Sequence, residues 1–353
     1  MLAPLVLLGY HPASLKSSNG GVLDKPGKPF YESPSSFRII VLIRTFSKIL
    51  PRIIAARLLT AARLGGLLHP NQCGSLPGLS TYDACLTLTN NVRTLQRPRL
   101  KVSSQFLDIK AGFDNVDSNT LARILREGEI PPYLVSWHSS FLCERSCTLI
   151  FQGAPATPAP VNVGTPQGSP ISPLLFLLYV TPLHFMIPGG LMISYMDDFA
   201  LTVASLSYRG NIRRLQELFE RLERKASRLG VSFSVAKIEL IHWRTSSQRH
   251  SPKCVSRIQI KGEMFHPSNS VRWLGHWFTP ALDPAAHFSR RLALAEGAFA
   301  LVRRLSPPGV GLPPYLCHRL AISVITPILL YGADLFTPTV GRTTRLDTFW
   351  RKV

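Results

Sequence analysis

Paired cysteines are missing from this sequence. Its cysteines are Cys73, Cys85, Cys143, Cys147, Cys254 and Cys317. Because none of them belongs to a C-x-x-C framework, neither a zinc ribbon nor a disulfide scaffold is expected. We expect reduced thiols in an intracellular protein.

Long apolar runs are also missing. Residues 171–180 are apolar, but this run is too short to cross a bilayer and is broken by Pro173. Residues 2–8 lack both the basic flank and the small-residue cleavage pattern of a signal peptide. We therefore expect a soluble protein that has no membrane partner.

Acidic residues are scarce. The chain has 20 Asp and Glu against 40 Lys and Arg, a formal net charge of +20. Such an excess is unfavourable through self-repulsion unless a polyanion neutralises it, and nucleic acid is the usual one. Basic ribosomal, chromatin and membrane-surface proteins share this balance. The apolar fraction of 45% over 353 residues excludes wholesale disorder and allows two or three modules.

The hydrophobic periodicity predicts helices and strands in an order without regular βαβ alternation, which indicates an α+β fold. Residues 37–64 carry basic side chains at helical intervals on an apolar background, which predicts a helix with one cationic face. Further helices are expected at residues 81–95, 118–128, 171–181 and 212–229. Ser118 would cap the second of them and Gly128 would end it. Strands are expected at residues 102–109, 147–151, 231–235 and 238–243.

The tetrapeptide Tyr195-Met196-Asp197-Asp198 stands between two apolar runs, residues 191–193 and 199–201. This pattern predicts a tight β-hairpin with two adjacent carboxylates at its tip. Like charges so close repel one another, and strand interiors disfavour Asp. The arrangement therefore favours a divalent cation that reverses the local electrostatics.

A third carboxylate, Asp108, also follows an apolar, strand-like run. Strand-borne carboxylates that converge on Mg²⁺ suit phosphoryl transfer, because two ions can activate the attacking oxygen and stabilise the leaving one. We assign Asp108 and Asp197 as the metal-bridging pair, and Asp198 as a less direct ligand or an electrostatic support. Taken alone, an Asp after a strand is about as often a simple turn residue.

Three side chains and one loop are candidates for nucleotide binding, and each has a plainer alternative. Phe113 follows the bend Ala111-Gly112, where a ring can lie under the sugar and clash with a 2′ hydroxyl; a core Phe is the alternative. The loop at residues 164–170 offers glycines and free N–H groups to phosphate or template, although many surface turns look similar. Lys237 is a candidate proton donor to pyrophosphate and Arg38 a candidate triphosphate clamp; otherwise both are solvated.

Together these segments resemble the sequence motifs of reverse transcriptases. Residues 106–116 are similar to motif A, 164–176 to motif B, 195–198 to motif C, 221–243 to motif D and 271–275 to motif E. Residues 25–29, 36–39 and 72–81 resemble the fingers motifs of LINE-type, non-LTR retrotransposon enzymes. The order and spacing hold to about Asp334.

The resemblance implies an α+β, right-hand polymerase fold with fingers, an antiparallel-sheet palm and a partial helical thumb. Residues 1–36 would form an N-terminal extension and the start of the fingers, and residues 37–100 the fingers. Residues 101–281 would form the palm with motifs A to E, including a fingers insertion around 120–163. Residues 282–353 would form the partial thumb.

The resemblance also implies roles for individual residues. The catalytic and metal-binding carboxylates would be Asp108, Asp197 and Asp198, with Lys237 as a further catalytic residue. The nucleotide and template would be bound by Arg38, Ile109, Phe113, Gln167 and Gly168, with Phe113 as the sugar gate. The primer grip would be Leu274 and Gly275.

The implied function is that of an RNA-directed DNA polymerase core that uses two Mg²⁺ ions, with Mn²⁺ as a substitute. Its partners would be an RNA template, a DNA primer and deoxynucleoside triphosphates, with no membrane; the oligomeric state stays unknown. Phe113 argues against an RNA-dependent RNA polymerase, whose gate must accept a ribose. Two alternatives stay open: a catalytically decayed relic that binds RNA, and a maturase-like intron splicing factor. We expect a nuclear and cytoplasmic ribonucleoprotein, with a mitochondrial location left open.

The sequence departs from the family pattern at several positions. Arg38 is followed by isoleucines where the family usually has Pro-Ile-Ser, and the fingers segment has Cys73 and Ser75 where aromatics are favoured. Ala111-Gly112 reverses the usual Gly-Ala order, and Met196 is more retrovirus-like than LINE-like. Because no endonuclease or RNase H segment is visible, we expect a polymerase core cut from a longer element.

Overall fold

The computed structural model describes residues 2–27, 30–97, 100–187, 191–245, 256–307, 311–336 and 339–352. Lys28 and Pro29, which belong to a predicted fingers motif, lie outside the described residues. The chain divides into two compact units. Unit 1 contains Met1–Leu79, Leu107–Leu201 and Gln216–Ile238, and unit 2 contains Ser80–Phe106, Thr202–Leu215 and Glu239–Val353. The fingers, palm and thumb bounds implied by the resemblance stay a prediction.

The described residues form helices and strands in a mixed order. The helices are α1 (Leu2–Leu7), α2 (Ile49–Leu64), α3 (Thr81–Gln96), α4 (Ser118–Glu127), α5 (Pro132–Leu142), α6 (Ser172–His184), α7 (Tyr208–Arg228), α8 (Ala285–Arg304), α9 (Pro314–Leu320), α10 (Thr326–Leu330) and α11 (Val340–Trp350). The strands are β1 (Ser17–Asp24), β2 (Phe37–Leu42), β3 (Lys101–Asp108), β4 (Arg145–Phe151), β5 (Ala154–Pro155), β6 (Ala159–Val161), β7 (Met192–Tyr195), β8 (Asp198–Ser205), β9 (Glu239–Trp243), β10 (Ile258–Ile260), β11 (Glu263–Phe265), β12 (Val271–Trp273) and β13 (His276–Phe278).

The prediction of one continuous helix over residues 37–64 is wrong in its first part. Residues 37–42 are strand β2, and the helix α2 begins only at Ile49. The run Ile39-Ile40-Val41 is rich in β-branched side chains, which favour a strand, and it pairs antiparallel with β1. Pro51 lies in the first turn of α2, where its missing N–H costs no intrahelical hydrogen bond.

The sheet of unit 1 has the strand order β2-β1-β4-β5, with β6 paired to β4. Strand β1 is central: Gly20 lies opposite Val41 of β2 in an antiparallel pair and opposite Leu149 of β4 in a parallel pair. The expected strand at residues 147–151 is confirmed and begins slightly earlier, at Arg145. This sheet carries the backbone of Arg38, one of the predicted site residues.

Helix α6 runs through the core of unit 1. Its side chains are buried on all sides of the helix, including Phe176 and Tyr179. The sequence run is apolar without period, as expected for a fully buried helix. Its predicted bounds of residues 171–181 shift to Ser172–His184. Tyr179 donates its hydroxyl to the carbonyl oxygen of Leu229, which ties α6 to the end of α7.

A second sheet has the order β7-β8-β3-β9. Strand β7 pairs antiparallel with β8, and β3 pairs antiparallel with β9. The predicted strand at residues 102–109 is confirmed as β3, whereas the one at residues 231–235 is wrong. That segment makes a single bridge, between Phe233 and Ile109, and then turns into a short 3₁₀ helix at Val235–Lys237.

The remaining helix predictions hold, with one change in capping. Helix α4 ends at Gly128 as expected, but Ser118 is not its cap. Asp117 caps it instead, because its carboxylate accepts a hydrogen bond from the backbone N–H of Thr120 at 2.7 Å. Helix α3 covers its predicted range, whereas α7 begins earlier than predicted, at Tyr208, and ends one residue short, at Arg228.

Unit 2 contains a helical core formed mainly by α8, α10 and α11. Leu292, Ile325, Leu329 and Phe349 are buried together there. The stretch Pro314–Leu335 is long and apolar enough to cross a membrane by length and composition alone, so the prediction that no run reaches that length is wrong. The sequence concealed it because His318 and Arg319 interrupt the apolar residues.

Candidate active site

The predicted hairpin forms, and its tip carries the adjacent carboxylates. Strand β7 ends at Tyr195 and β8 begins at Asp198, and these two residues pair directly across a two-residue turn. Met196 takes a left-handed backbone conformation in that turn, with φ of 58°. Asp is favoured in such turns because its short polar side chain tolerates them.

The backbone brings Asp108 beside this turn. Asp108 is the last residue of β3, and the N–H of the next residue, Ile109, donates a hydrogen bond to the carbonyl oxygen of Asp197 at 3.0 Å. Ile109 itself is buried, with 2% of its surface exposed. The structure therefore assigns Ile109 a backbone contact that holds the two acidic segments together.

The carboxylates influence one another electrostatically. Burial and the negative charges of Asp197 and Asp108 together raise the pKa of Asp198 to about 6, against the opposing positive charge of Lys237. Burial also raises the pKa of Asp197, to which Asp108 adds, while the positive charges of Lys237 and Arg38 oppose the rise. The site thus gathers more negative charge than its own cations neutralise.

Lys237 is paired with Asp108. Its ammonium lies 2.9 Å from Oδ1 and 2.9 Å from Oδ2 of that carboxylate. The Lys237 side chain is 64% exposed, whereas that of Asp108 is 16% exposed. The backbone leading to Lys237 is fixed by a bond from the Ser234 N–H to the Asp108 carbonyl oxygen at 2.8 Å.

The donor set suits a hard divalent cation. Carboxylate oxygens are the ligands that Mg²⁺ prefers, and a cation would favour the ionised forms of Asp197 and Asp198, whose pKa values are raised by burial and by the neighbouring negative charges. Within the part of the chain that the structure describes, no three His, Cys, Asp or Glu side chains already form a metal cage.

Phe113 stands at the other side of the bend that follows Asp108. Its ring stacks on Phe176 of α6, with centroids 4.8 Å apart. Phe176 also explains the reversed Ala111-Gly112 order: a Cβ on Gly112 would lie 2.6 Å from its ring. Ala111 meanwhile takes the left-handed conformation, at φ of 50°. Phe113 is half-buried, so part of its ring stays accessible.

The glycine-rich loop at residues 164–170 lies against the same bend. The Thr165 N–H donates to the carbonyl oxygen of Phe113 at 2.8 Å, and the exposed Gln167 side chain donates to Asp114 at 3.2 Å. Gly168 lies directly against the carbonyl oxygen of Val41 in β2, where any Cβ would collide. The loop is therefore held between the Phe113 bend and strand β2.

Arg38 lies on β2, opposite Leu23, and its side chain is exposed. Its positive charge counts among the causes that lower the pKa of Asp197. Unit 1 contains the three carboxylates and also four of the predicted binding residues, Arg38, Phe113, Gln167 and Gly168.

Leu274 and Gly275 belong to unit 2 and form the turn between β12 and β13. Both have positive φ, 48° for Leu274 and 77° for Gly275, as a two-residue hairpin turn requires. Their carbonyl oxygens are held from outside the turn: Tyr331 donates to that of Leu274 at 2.7 Å and Arg291 to that of Gly275 at 2.8 Å.

Sequence reasoning missed two supporting residues, Phe176 and Arg145. Arg145 is buried and donates to the carbonyl oxygens of Val163 and Gly164, at 3.2 and 2.6 Å, which fixes the start of the glycine-rich loop. Burial lowers its pKa to about 10. Neither residue gave a signal: Arg145 stands two residues before the predicted strand at residues 147–151, and Phe176 is one apolar residue among many.

Comparison with known proteins identifies the family. Residues 23–278 match the family described as "Reverse transcriptase (RNA-dependent DNA polymerase)". The chain is 29% identical over 337 residues to the probable RNA-directed DNA polymerase from transposon BS of Drosophila melanogaster, covering 93% of this chain and 36% of that protein. It is 26% identical over 275 residues to the corresponding protein of the X-element from the same organism, covering 77% and 30%.

The chain thus spans about a third of the length of the curated relatives it matches. Among solved structures, a telomerase from Candida tropicalis in complex with a TWJ fragment of telomeric RNA is similar, with a TM-score of 0.55 at 11% identity. That match covers 96% of this chain and 54% of the telomerase, and it confirms the right-hand, α+β polymerase fold. Members of the matched family generally use divalent metal ions and bind a nucleic-acid template. By its family match over residues 23–278, the chain belongs to the reverse transcriptases.

Proposed function

We propose that this chain is the RNA-directed DNA polymerase core of a non-LTR retrotransposon, which extends a DNA primer with deoxynucleoside triphosphates on an RNA template. One observation carries the proposal. The Ile109–Asp197 hydrogen bond joins the two acidic segments, and the charges of Asp108, Asp197 and Asp198 act on one another. A fold gains no stability from gathering three acids, so a bound cation accounts for them best.

Asp108, Asp197 and Asp198 would hold Mg²⁺, with Mn²⁺ as a substitute, and all three offer carboxylate oxygens. When two such ions are bound, they supply charge stabilisation for the attacking and the leaving oxygens of the phosphoryl transfer. Asp108 and Asp197 would be the main ligands of these ions, and Asp198 a less direct ligand or an electrostatic support.

Lys237 is proposed to protonate the departing pyrophosphate. Its ammonium is mostly exposed and reaches the carboxylate of Asp108, which places a proton donor at the edge of the acidic site. Arg38 would bind the triphosphate, since its guanidinium is exposed on β2 and its positive charge opposes the rise in the pKa of Asp197.

Phe113 is proposed to select deoxyribose. The stacking on Phe176 fixes the ring, and a fixed ring excludes a 2′ hydroxyl better than a mobile one. Gln167 and Gly168 would contact the template and the nucleotide. The close approach of Gly168 to β2 supports this, because it brings the loop next to the strand that carries Arg38.

The turn at Leu274 and Gly275 is proposed to grip the primer. Support comes from its bracing by Tyr331 and Arg291, which stiffens a turn that would otherwise be free. The nuclear and cytoplasmic ribonucleoprotein location also stays a proposal.

The test is primer extension on an RNA template with Mg²⁺. We expect product from the parent chain and none from Asp197→Asn, while Glu127→Gln, an exposed acid paired with Arg123, retains activity. A parent chain that yields no product, although it is folded and binds RNA, would support the catalytically decayed relic instead.

A further inference from the structure

We infer that a cationic surface beside and along helix α2 binds single-stranded RNA outside the catalytic site. We call it the α2 surface; it consists of Arg44, Phe46, Lys48, Arg52, Arg57 and Arg63. The inference rests on the proposed function, because a polymerase that copies RNA must hold RNA.

The α2 surface lies in a long stretch without acids. From Ser33 to Tyr82 the sequence contains no Asp or Glu, yet it contains all the cations of the surface. The positive charge there is therefore not balanced by neighbouring carboxylates along the chain. A polyanion is the natural partner for such a surface.

Helix α2 buries one apolar face and exposes its cations. Leu50, Ile54 and Leu58 are each 1% exposed and face the core. Arg52 and Arg63 are exposed and lie on the opposite face, with Arg57 also exposed at its flank. At 1.5 Å rise per residue, Arg52 and Arg63 are roughly 16 Å apart along the axis, which allows contact with several phosphates.

The stability of α2 does not account for these cations. Lys48 is the N-cap residue and Arg52 follows in the first turns, where the helix dipole disfavours positive charge. The first turn contains no acid. By contrast, α4 pairs Arg123 with Glu127 at 2.9 Å in the stabilising i,i+4 arrangement. Lys48 and Arg52 are therefore placed against local helix stability, as expected for a binding surface, whereas Arg63 lies in the last turn, where the dipole favours a cation.

An exposed aromatic ring stands among the cations. Phe46 is 80% exposed, and it lies between the exposed residues Arg44 and Lys48 in the short turn before α2. Leaving such a ring in water is unfavourable, whereas stacking on an unpaired base contributes substantially to binding. Cations with an interleaved aromatic ring favour single-stranded RNA over a duplex, whose bases are already stacked.

The test is the affinity of the full chain for a short, 3′-blocked, single-stranded RNA, measured by fluorescence anisotropy at several salt concentrations. We expect the triple variant Arg52→Gln, Arg57→Gln, Arg63→Gln to lose about tenfold or more in affinity. In this variant the slope of log affinity against log salt concentration should become shallower by about 2, because three phosphate contacts are lost and each contributes about 0.7. Phe46→Ala should lose about fivefold or more through lost stacking.

The matched control is Arg209→Gln, Arg213→Gln, Arg224→Gln, which removes the same charge from exposed positions of α7. We expect only a small loss of RNA affinity in this control. In the α2 variants, extension of a pre-annealed primer–template at saturating concentration should be unchanged. Circular dichroism checks that each variant is folded.

Two results would overturn the α2 surface: equal losses of affinity in the two triple variants, or no loss in either. A drop in saturated extension equal to the loss of affinity would also overturn it, because α2 would then belong to the template path. The proposed function fails separately. If the parent chain does not extend a primer but its RNA binding depends on α2, the polymerase proposal falls and the surface remains.

Discussion

The ring of Phe113 stacks on the ring of Phe176, with centroids 4.8 Å apart and planes 26° from parallel. Phe176 is completely buried on α6, so it cannot move without disturbing the core of unit 1. The position of the proposed sugar gate is thus fixed by the buried ring of Phe176, on which it stacks, and by the bend at Ala111-Gly112.

Replacing Phe113 tests the gate. In Phe113→Val the smaller side chain leaves room for a 2′ hydroxyl, so we expect the preference for deoxy- over ribonucleotides, as a ratio of kcat/KM, to fall tenfold or more. Phe185→Val, at a ring that is 59% exposed, is the control and should keep the ratio. An unchanged ratio in Phe113→Val would remove this role from Phe113.

The reversed Ala111-Gly112 pair makes a second prediction. Gly112→Ala places a methyl group against Phe176, and we expect a loss of about 1–3 kcal/mol in the free energy of unfolding. Ala111→Gly relieves a left-handed alanine and should gain up to about 1 kcal/mol. Urea unfolding measures both changes; equal effects at the two positions would contradict the packing described here.

Lys237 has two proposed effects that its variants separate. In Lys237→Met the Asp108 carboxylate loses its ammonium partner, so we expect a lower Mg²⁺ concentration at half-maximal activity. At the same time kcat should fall about 100-fold or more through the lost proton donor. Lys237→Arg keeps the charge and should leave the Mg²⁺ dependence near that of the parent. A fall in kcat with an unchanged Mg²⁺ dependence in Lys237→Met would show that the pairing with Asp108 does not compete with metal.

Asp198 gives a pH dependence in the metal-free protein. Its pKa of about 6 lies above the ordinary value of 3.8, so the folded protein holds this proton at pH values where the unfolded chain has lost it. Its contribution therefore favours folding at low pH and is lost as the pH rises from about 4 to about 6. We expect the free energy of unfolding of Asp198→Asn to exceed that of the parent by up to about 2 kcal/mol at pH 7 and to equal it near pH 4. Metal-free urea titrations measure this difference, and a difference that does not change with pH would contradict it.

The sequence was sufficient for the segments that carry the chemistry. Asp197 and Asp198 stand in a hairpin, and Asp108 ends a strand, because alternating and apolar runs bounded by acids specify strands and turns locally. The same local reasoning found helices α3, α4 and α7. The roles assigned to these residues stay predictions.

Long-range packing could not be read in the same way. The segment at residues 231–235 has strand-like composition, but its hydrogen bonds go to the backbone around Asp108 and it turns before a ladder forms. Residues 37–42 looked helical from their charge spacing, and only pairing with β1 makes them a strand. Phe176 and Arg145 support the site through contacts that are distant in sequence, and no local pattern marks them.

The most direct test of the central claim is the binding of Mn²⁺, followed by electron paramagnetic resonance in the absence of nucleotide. It compares the parent, Asp108→Asn, Asp197→Asn, the double variant and Glu127→Gln as a control. If the two acids serve one cation site, each single substitution weakens binding about tenfold or more, and the double variant loses less than the sum of the two. Losses that add independently, or Mn²⁺ binding that neither substitution changes, would contradict a shared metal site.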